Sequence, residues 1–246
     1  MLGCSPKPEE RTLERFVEAQ QAFDQADKLP VAEQKEAFRR VALMYQGLID
    51  EGIQSGPLYY NLGNAWARSE EPGRALAAYH SARRFMPFDP HLASNMQTVL
   101  GDSVPSQATT PLIEHLFFWQ DWIGIEQKAT GTIVLAALTF LLGTAQLFIR
   151  HRRLRRLALI SLTLTLLAVL STGYDWYRFE QTAHAVVAVK EATPRKGNSE
   201  SYELSFTSPV PLGTTATVLG ERSGWLLLRF GSGQDGWLPK DQVVRF

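Results

Sequence analysis

Residues 129–149 read ATGTIVLAALTFLLGTAQLFI, residues 150–156 read RHRRLRR, and residues 157–174 read LALISLTLTLLAVLSTGY. The first and third stretches carry no charged side chain. At 1.5 Å rise per residue the first is roughly 31 Å long as a helix, about the thickness of a bilayer's hydrocarbon core. Two such runs joined by a short basic link predict a transmembrane helical hairpin, with spans over residues 129–149 and 157–177. A buried core hairpin of a soluble protein is the alternative. Five arginines at one end of two apolar helices fit a soluble core poorly.

The hairpin divides the chain electrostatically. Residues 1–128 carry 12 basic and 17 acidic side chains, residues 129–177 carry five and one, and residues 178–246 carry eight and seven. The basic excess therefore sits in one short loop, which argues against a nucleic-acid-binding surface. By the positive-inside rule Arg150, Arg152, Arg153, Arg155 and Arg156 face the cytoplasm. Both flanking segments are then expected on the extracytoplasmic side of a bacterial inner membrane. A signalling protein of the opposite topology, with both flanks in the cytoplasm, is the competing arrangement.

The N-terminal flank reads as helical. Residues 1–11 are polar and proline-containing and predict a disordered start. Leu2-Gly3-Cys4-Ser5 resembles the end of a bacterial lipoprotein signal, which makes Cys4 a candidate for lipidation. No charged region followed by an apolar one precedes it, so an ordinary thiol is the alternative. A single cysteine excludes an internal disulfide. From Thr12, Leu13, Phe16, Val17, Ala19, Gln20 and Phe23 recur at three-and-four spacing. Ala37, Val41, Met44, Tyr45, Leu48 and Ile49 follow on a second helix.

Two further helices carry a more specific pattern: Tyr59, Leu62, Gly63 and Trp66, then Ala75, Tyr79 and Ala82, then Pro87. This spacing resembles the 34-residue tetratricopeptide (TPR) repeat, best matched over residues 56–89. Gly63 and Ala75 lack bulk where paired helices cross, and the larger residues fill the space between them. A weaker repeat before it and one capping helix after it predict a five-helix solenoid over residues 12–100. Tyr60, Asn64 and Arg68 share one face of its third helix. They could hold a peptide, with the Asn64 amide on its backbone and Arg68 on a carboxylate, or form a solvated or internally bonded face.

A linker (residues 101–111) and an aromatic interfacial segment (residues 112–128) lead into the first span. Small and hydroxyl side chains form a stripe on each span: Thr132, Ala136, Thr139, Gly143 and Gln146 on one, and Ala158, Ser161, Thr165, Ala168 and Thr172 on the other. These stripes are expected to face each other. Tyr174, Trp176 and Tyr177 mark the exit from the bilayer.

After residue 183 the period changes to short strands at residues 184–189, 202–206, 216–219 and 225–230, with glycine-rich turns. Gly224-Trp225 and Gly236-Trp237, each opening a strand, resemble bacterial SH3 (SH3b) domains. Trp225 and Trp237 are expected in the core and rim of such a barrel, with ligand contact a minority alternative. The fold class expected is a multidomain membrane protein: an all-α TPR solenoid, a transmembrane α-helical hairpin and a small all-β SH3-like barrel.

The order of these parts resembles BatE-like proteins of the Bacteroides aerotolerance operons. That resemblance implies partners, namely a MoxR-type ATPase and membrane-anchored von Willebrand factor A-domain proteins. It also implies a role in a stress-tolerance complex of the cell envelope without known catalysis. The residues themselves show no catalytic constellation, no cofactor motif and no metal site, since His80, His91, His115, His151 and His184 are scattered. The function expected is a non-enzymatic membrane-anchored scaffold. The alternative is a peptidoglycan-binding envelope protein led by the SH3b segment.

Overall fold

A computed structural model describes residues 8–105, 123–149, 151–181 and 183–246, with side chains given for 11–105, 123–149, 151–176 and 183–246. Five helices come first: α1 (Pro8–Ala26), α2 (Val31–Asp50), α3 (Gly56–Arg68), α4 (Pro72–Arg83) and α5 (Pro90–Leu100). α1 starts four residues before Thr12, where disorder was expected. A proline followed by two glutamates suits a first helical turn, where the missing N–H is harmless and negative charge meets the positive helix end. Along α1 only part of the expected apolar face is covered: Ala19 is buried and Phe16 and Phe23 pack on the core, whereas Leu13 and Val17 are exposed. On α2 the core adds Phe38 and Ala42 to the expected Ala37, Val41, Tyr45 and Leu48. α4 ends at Arg83, four residues before Pro87.

The helical core closes around the α3–α4 crossing. A Cβ on Gly63 would overlap the Tyr79 ring, so Gly63 sets how closely the two helices approach. Leu62, Trp66, Ala75, Tyr79 and Ala82 are buried in this cluster, and Tyr59 stacks on Phe85 at 5.9 Å.

The C-terminal segment forms a five-stranded antiparallel sheet in the order β6-β5-β4-β1-β7 and a two-stranded β2-β3 pair. The strands are β1 (His184–Val187), β2 (Glu191–Ala192), β3 (Val210–Pro211), β4 (Thr215–Arg222), β5 (Trp225–Phe230), β6 (Asp235–Pro239) and β7 (Val243–Arg245). Ser223 and Gly224, with φ of 50° and 78°, join β4 to β5 in the two-residue turn that matches strand twist. The strand expected at residues 202–206 is absent; only Leu204 bridges Arg195 there. β2, β3 and β7 were not anticipated, because two- and three-residue strands carry no periodic signal.

Helices and sheet belong to one unit, made of residues 1–109 and 184–246. Alternation along β1 explains how. Ala185 and Val187 point into the sheet's own core with Leu226, Leu228 and Leu238, while Val186 points the other way. There it meets Leu76 and Ala77 of α4 and Leu212, with Met96, Val99 and Leu100 of α5 alongside. α4 is thus buried on two sides, by its helical neighbours and by β1 and β7. At Gly73 a Cβ would run into Ala188, and at Gly213 into Leu100.

The second unit, residues 110–183, contains α6 (Ile125–Phe148) and α7 (Arg152–Gln181). Both helices are long and apolar enough to cross a membrane. Phe140 and Phe148 are 72% and 83% exposed, so neither helix is buried as a core helix among the described residues. The expected loop over residues 150–156 is shorter. Arg152, Arg153, Arg155 and Arg156 lie in the first turns of α7, and Arg150 lies outside the described residues. Most of the aromatic segment expected at 112–128 also lies outside them, apart from its last turn in α6.

The hydroxyl stripes do meet. Thr132 Oγ1 lies 3.1 Å from Thr172 Oγ1, and Thr139 Oγ1 lies 2.7 Å and 2.8 Å from the hydroxyls of Ser161 and Thr165. Ala136 and Gly143 do not take part; both are exposed, and the seam runs through Leu135 and Leu142 instead. Gln146 has a buried Oε1 without a hydrogen-bond partner among the described residues.

Lys128 pairs with Asp175, both side chains only 5% exposed, and this unanticipated contact joins the open ends of the two helices. Removing one member of such a pair leaves a buried charge and costs about 3–5 kcal/mol. Asp175→Asn is therefore expected to destabilise the hairpin strongly. The double change Lys128→Met with Asp175→Leu should recover most of the loss, as read from unfolding of the full chain in detergent micelles.

Candidate functional site

The polar line on the helical segment is built by two capped helices. Ser55, with extended backbone, accepts the Leu58 N–H at 3.3 Å and starts α3 with Pro57 in its first turn. Asp89 accepts the N–H groups of His91 and Leu92 at 2.9 Å and 3.0 Å and starts α5 with Pro90. These caps hold α3 and α5 so that Tyr60 and Asn64 face Asn95.

Four side chains then share one network. The Tyr79 hydroxyl donates to Asn64 Oδ1 at 2.8 Å, and Asn95 Nδ2 donates to Asn64 Oδ1 at 2.8 Å and to the Tyr60 hydroxyl at 3.0 Å. Burial raises the Tyr79 phenol well above its ordinary pKa, so it stays a donor. The Asn64 oxygen is fully used, while its amide nitrogen makes no hydrogen bond among the described residues. Tyr60, Asn64 and Asn95 are all partly exposed. A similar knot lies beside them: Gln20 Oε1 accepts from the Tyr45 hydroxyl at 3.2 Å and from Asn61 Nδ2 at 3.1 Å. Burial pushes the Tyr45 phenol up to about 12.

Arg68 stands apart from this network. It pairs with Asp27 and lies 4.6 Å from the Phe38 ring centre. Both members of that ion pair are about half exposed, so the pair adds little to stability and an incoming carboxylate can compete for the guanidinium. The structure thus joins Tyr60 and Asn64 with Asn95, a residue the sequence did not single out, and gives Arg68 a partner of its own. Asn95 sits on a helix read only as a cap. Its role depends on a contact across 31 positions of chain.

On the sheet, Trp225 and Trp237 are half-buried, each followed by a buried leucine. Trp237 exchanges backbone hydrogen bonds with Arg195 at 2.7 Å and 2.9 Å. The Arg229 guanidinium holds the Asp235 carboxyl below its ordinary range through two bonds of 2.8 Å.

The contact between α4 and the sheet carries a titratable group. His80 stacks on Phe246 at 5.0 Å, and His184 stacks on the other histidine's neighbour, Phe246, at 5.9 Å. Burial, helped by Arg83 and His184, pushes the His80 imidazole down to about 3. Its signal in the sequence was the composition of α4 itself, PGRALAAYHSAR: alanine and leucine occur all round the helix, so it has no solvent face to spare. Among the described residues no group of three or more His, Cys, Asp and Glu side chains could hold a metal ion. Cys4 and His115 lie outside those residues. No protein-family model matches the chain, and neither curated protein sequences nor solved structures give a significant match.

His80 makes the packing of α4 on the sheet sensitive to acid. The unfolded chain binds a proton near the ordinary value of 6.5, the folded chain near 3, so the unfolded state is favoured as pH falls below 6.5. The unfolding temperature of the full chain is expected to be flat above about pH 7.5 and to fall between about pH 6.5 and 5, above the range where carboxylates titrate. His80→Gln should flatten that window.

Proposed function

We propose that the protein is a non-enzymatic membrane-anchored adaptor. Its helical segment is read as a TPR-like module and its sheet as an SH3b-like barrel, both presented on the extracytoplasmic side for protein assembly. The observation that carries this reading is the Tyr60-Asn64-Asn95 network. The Asn64 Oδ1 and Tyr60 hydroxyl oxygens accept within the network, which holds the side chains in place, while the Asn64 amide nitrogen remains to donate to a carbonyl of an extended peptide. Arg68, loosely held by Asp27, is the companion site for a carboxylate on the same ligand.

The anchoring half of the reading rests on the hairpin. Both chain segments that flank it fold into a single unit, which supports two crossings with both segments on one face of a bilayer. The arginine-rich turn argues that this face is extracytoplasmic. Under the resemblance to BatE-like proteins, the partners are von Willebrand factor A-domain membrane proteins of an aerotolerance complex.

Asn64→Ala combined with Arg68→Ala is expected to weaken capture of such an A-domain protein by the full chain by at least tenfold, a loss of about 1.4 kcal/mol. Helicity measured by circular dichroism should stay unchanged. Undiminished capture by the double variant would remove this face as the binding site.

A further inference from the structure

The closed end of the hairpin carries a charge that nothing in the hairpin answers. Arg152, Arg153, Arg155 and Arg156 are all exposed in the first two turns of α7, and none has an ion-pair partner among the described residues. No aspartate or glutamate occurs between Glu126 and Asp175, so the hairpin cannot neutralise them itself. Asp175 is already taken by Lys128 at the open end, which a 24-residue helix puts roughly 36 Å away.

The arginines are also badly placed for an isolated helix. Arg152 with Arg155 and Arg156, and Arg153 with Arg156, are like charges at three- and four-residue spacing. All four sit at the helix end where cations are disfavoured. The imidazole of His151 accepts the Arg153 N–H at 3.2 Å, so the turn is capped by a side chain and not by an anion of the chain. A local arrangement this unfavourable persists where an external anion offsets it.

The surfaces beside the arginines define which anion. Leu147, Phe148 and Ile149 before the turn, and Leu157, Leu159 and Ile160 after it, are exposed by half or more. A free phosphate would use the guanidiniums and leave this apolar collar in water. A phospholipid uses both, with phosphate on the arginines and acyl chains along the collar. We propose that the closed end of the hairpin is a binding site for anionic phospholipids, with Arg152, Arg153, Arg155 and Arg156 gripping the headgroup phosphates. This rests on the membrane-anchored reading given above.

The test uses the full chain with vesicles of phosphatidylcholine, or of phosphatidylcholine mixed with phosphatidylglycerol. Lipid retained after extraction in mild detergent is measured by mass spectrometry. The wild type is expected to hold phosphatidylglycerol in about tenfold preference over phosphatidylcholine. The R152Q/R153Q/R155Q/R156Q variant should show no preference, and the four-lysine counterpart should keep part of it, since lysine supplies charge without the planar fork. Excess inorganic phosphate should not strip the lipid. Equal retention of the two lipids by the wild type, an undiminished preference in the glutamine variant, or displacement by inorganic phosphate would each overturn the inference. Failure of the wild type to float with phosphatidylcholine vesicles would instead overturn the membrane reading, and this inference with it.

Discussion

Burial of α4 on two sides is the constraint from which the rest of the architecture follows. One side of the helix packs through Ala75, Tyr79 and Ala82 against the other helices, with Gly63 giving the Tyr79 ring its room. The other side, through Leu76 and Ala77, packs against Val186 and Leu212. A helix with apolar groups all round cannot stand as the last layer of a helical stack, because one face would remain in water. The sheet supplies the missing layer. In exchange, β1 gains cover for the residue that its alternation turns away from the sheet's own core. Each segment completes the other's burial, and together they form a unit that neither would close alone.

This has a consequence for the hairpin. α6 and α7 are an insertion within a folded unit whose two pieces come from opposite ends of the chain. Their pairing is specified by directional contacts: the Lys128–Asp175 pair at the open end, and the hydroxyl contacts of Thr132 with Thr172 and of Thr139 with Ser161 and Thr165. In hydrocarbon, helix association gains little from apolar contact alone, so polar contacts and close packing set the register. Under the proposed membrane anchoring, the apolar residues that remain exposed are the surface offered to lipid.

The polar line on α3 and α5 is held in place by hydrogen bonds without a charged cluster. Asn64 is locked by two donors, Tyr79 from below and Asn95 from the side, and the buried phenol of Tyr79 stays protonated. Orientation of the amide is thereby settled, which under the proposed peptide-binding role lowers the ordering cost of binding. Arg68 contributes differently, as a cation resting on Phe38 and shared with Asp27.

Local pattern carried much of this. Helical spacing marked α1 to α5, uninterrupted apolar runs marked α6 and α7, and short apolar stretches among glycine-rich turns marked β1, β4, β5 and β6, because each signal lies within one element. Tyr60, Asn64 and Arg68 were visible as one helix face for the same reason. The partners were not visible. Asn95 joins Asn64, Lys128 pairs with Asp175, and Leu76 meets Val186 across separations that no periodicity records. Whether an apolar face is covered by a neighbour, by lipid or by a strand from the far end of the chain depends on which surfaces come together. Sequence by itself therefore determined the elements and the faces they present, while tertiary structure decided their partners, because burial is a property of pairs of surfaces and not of one.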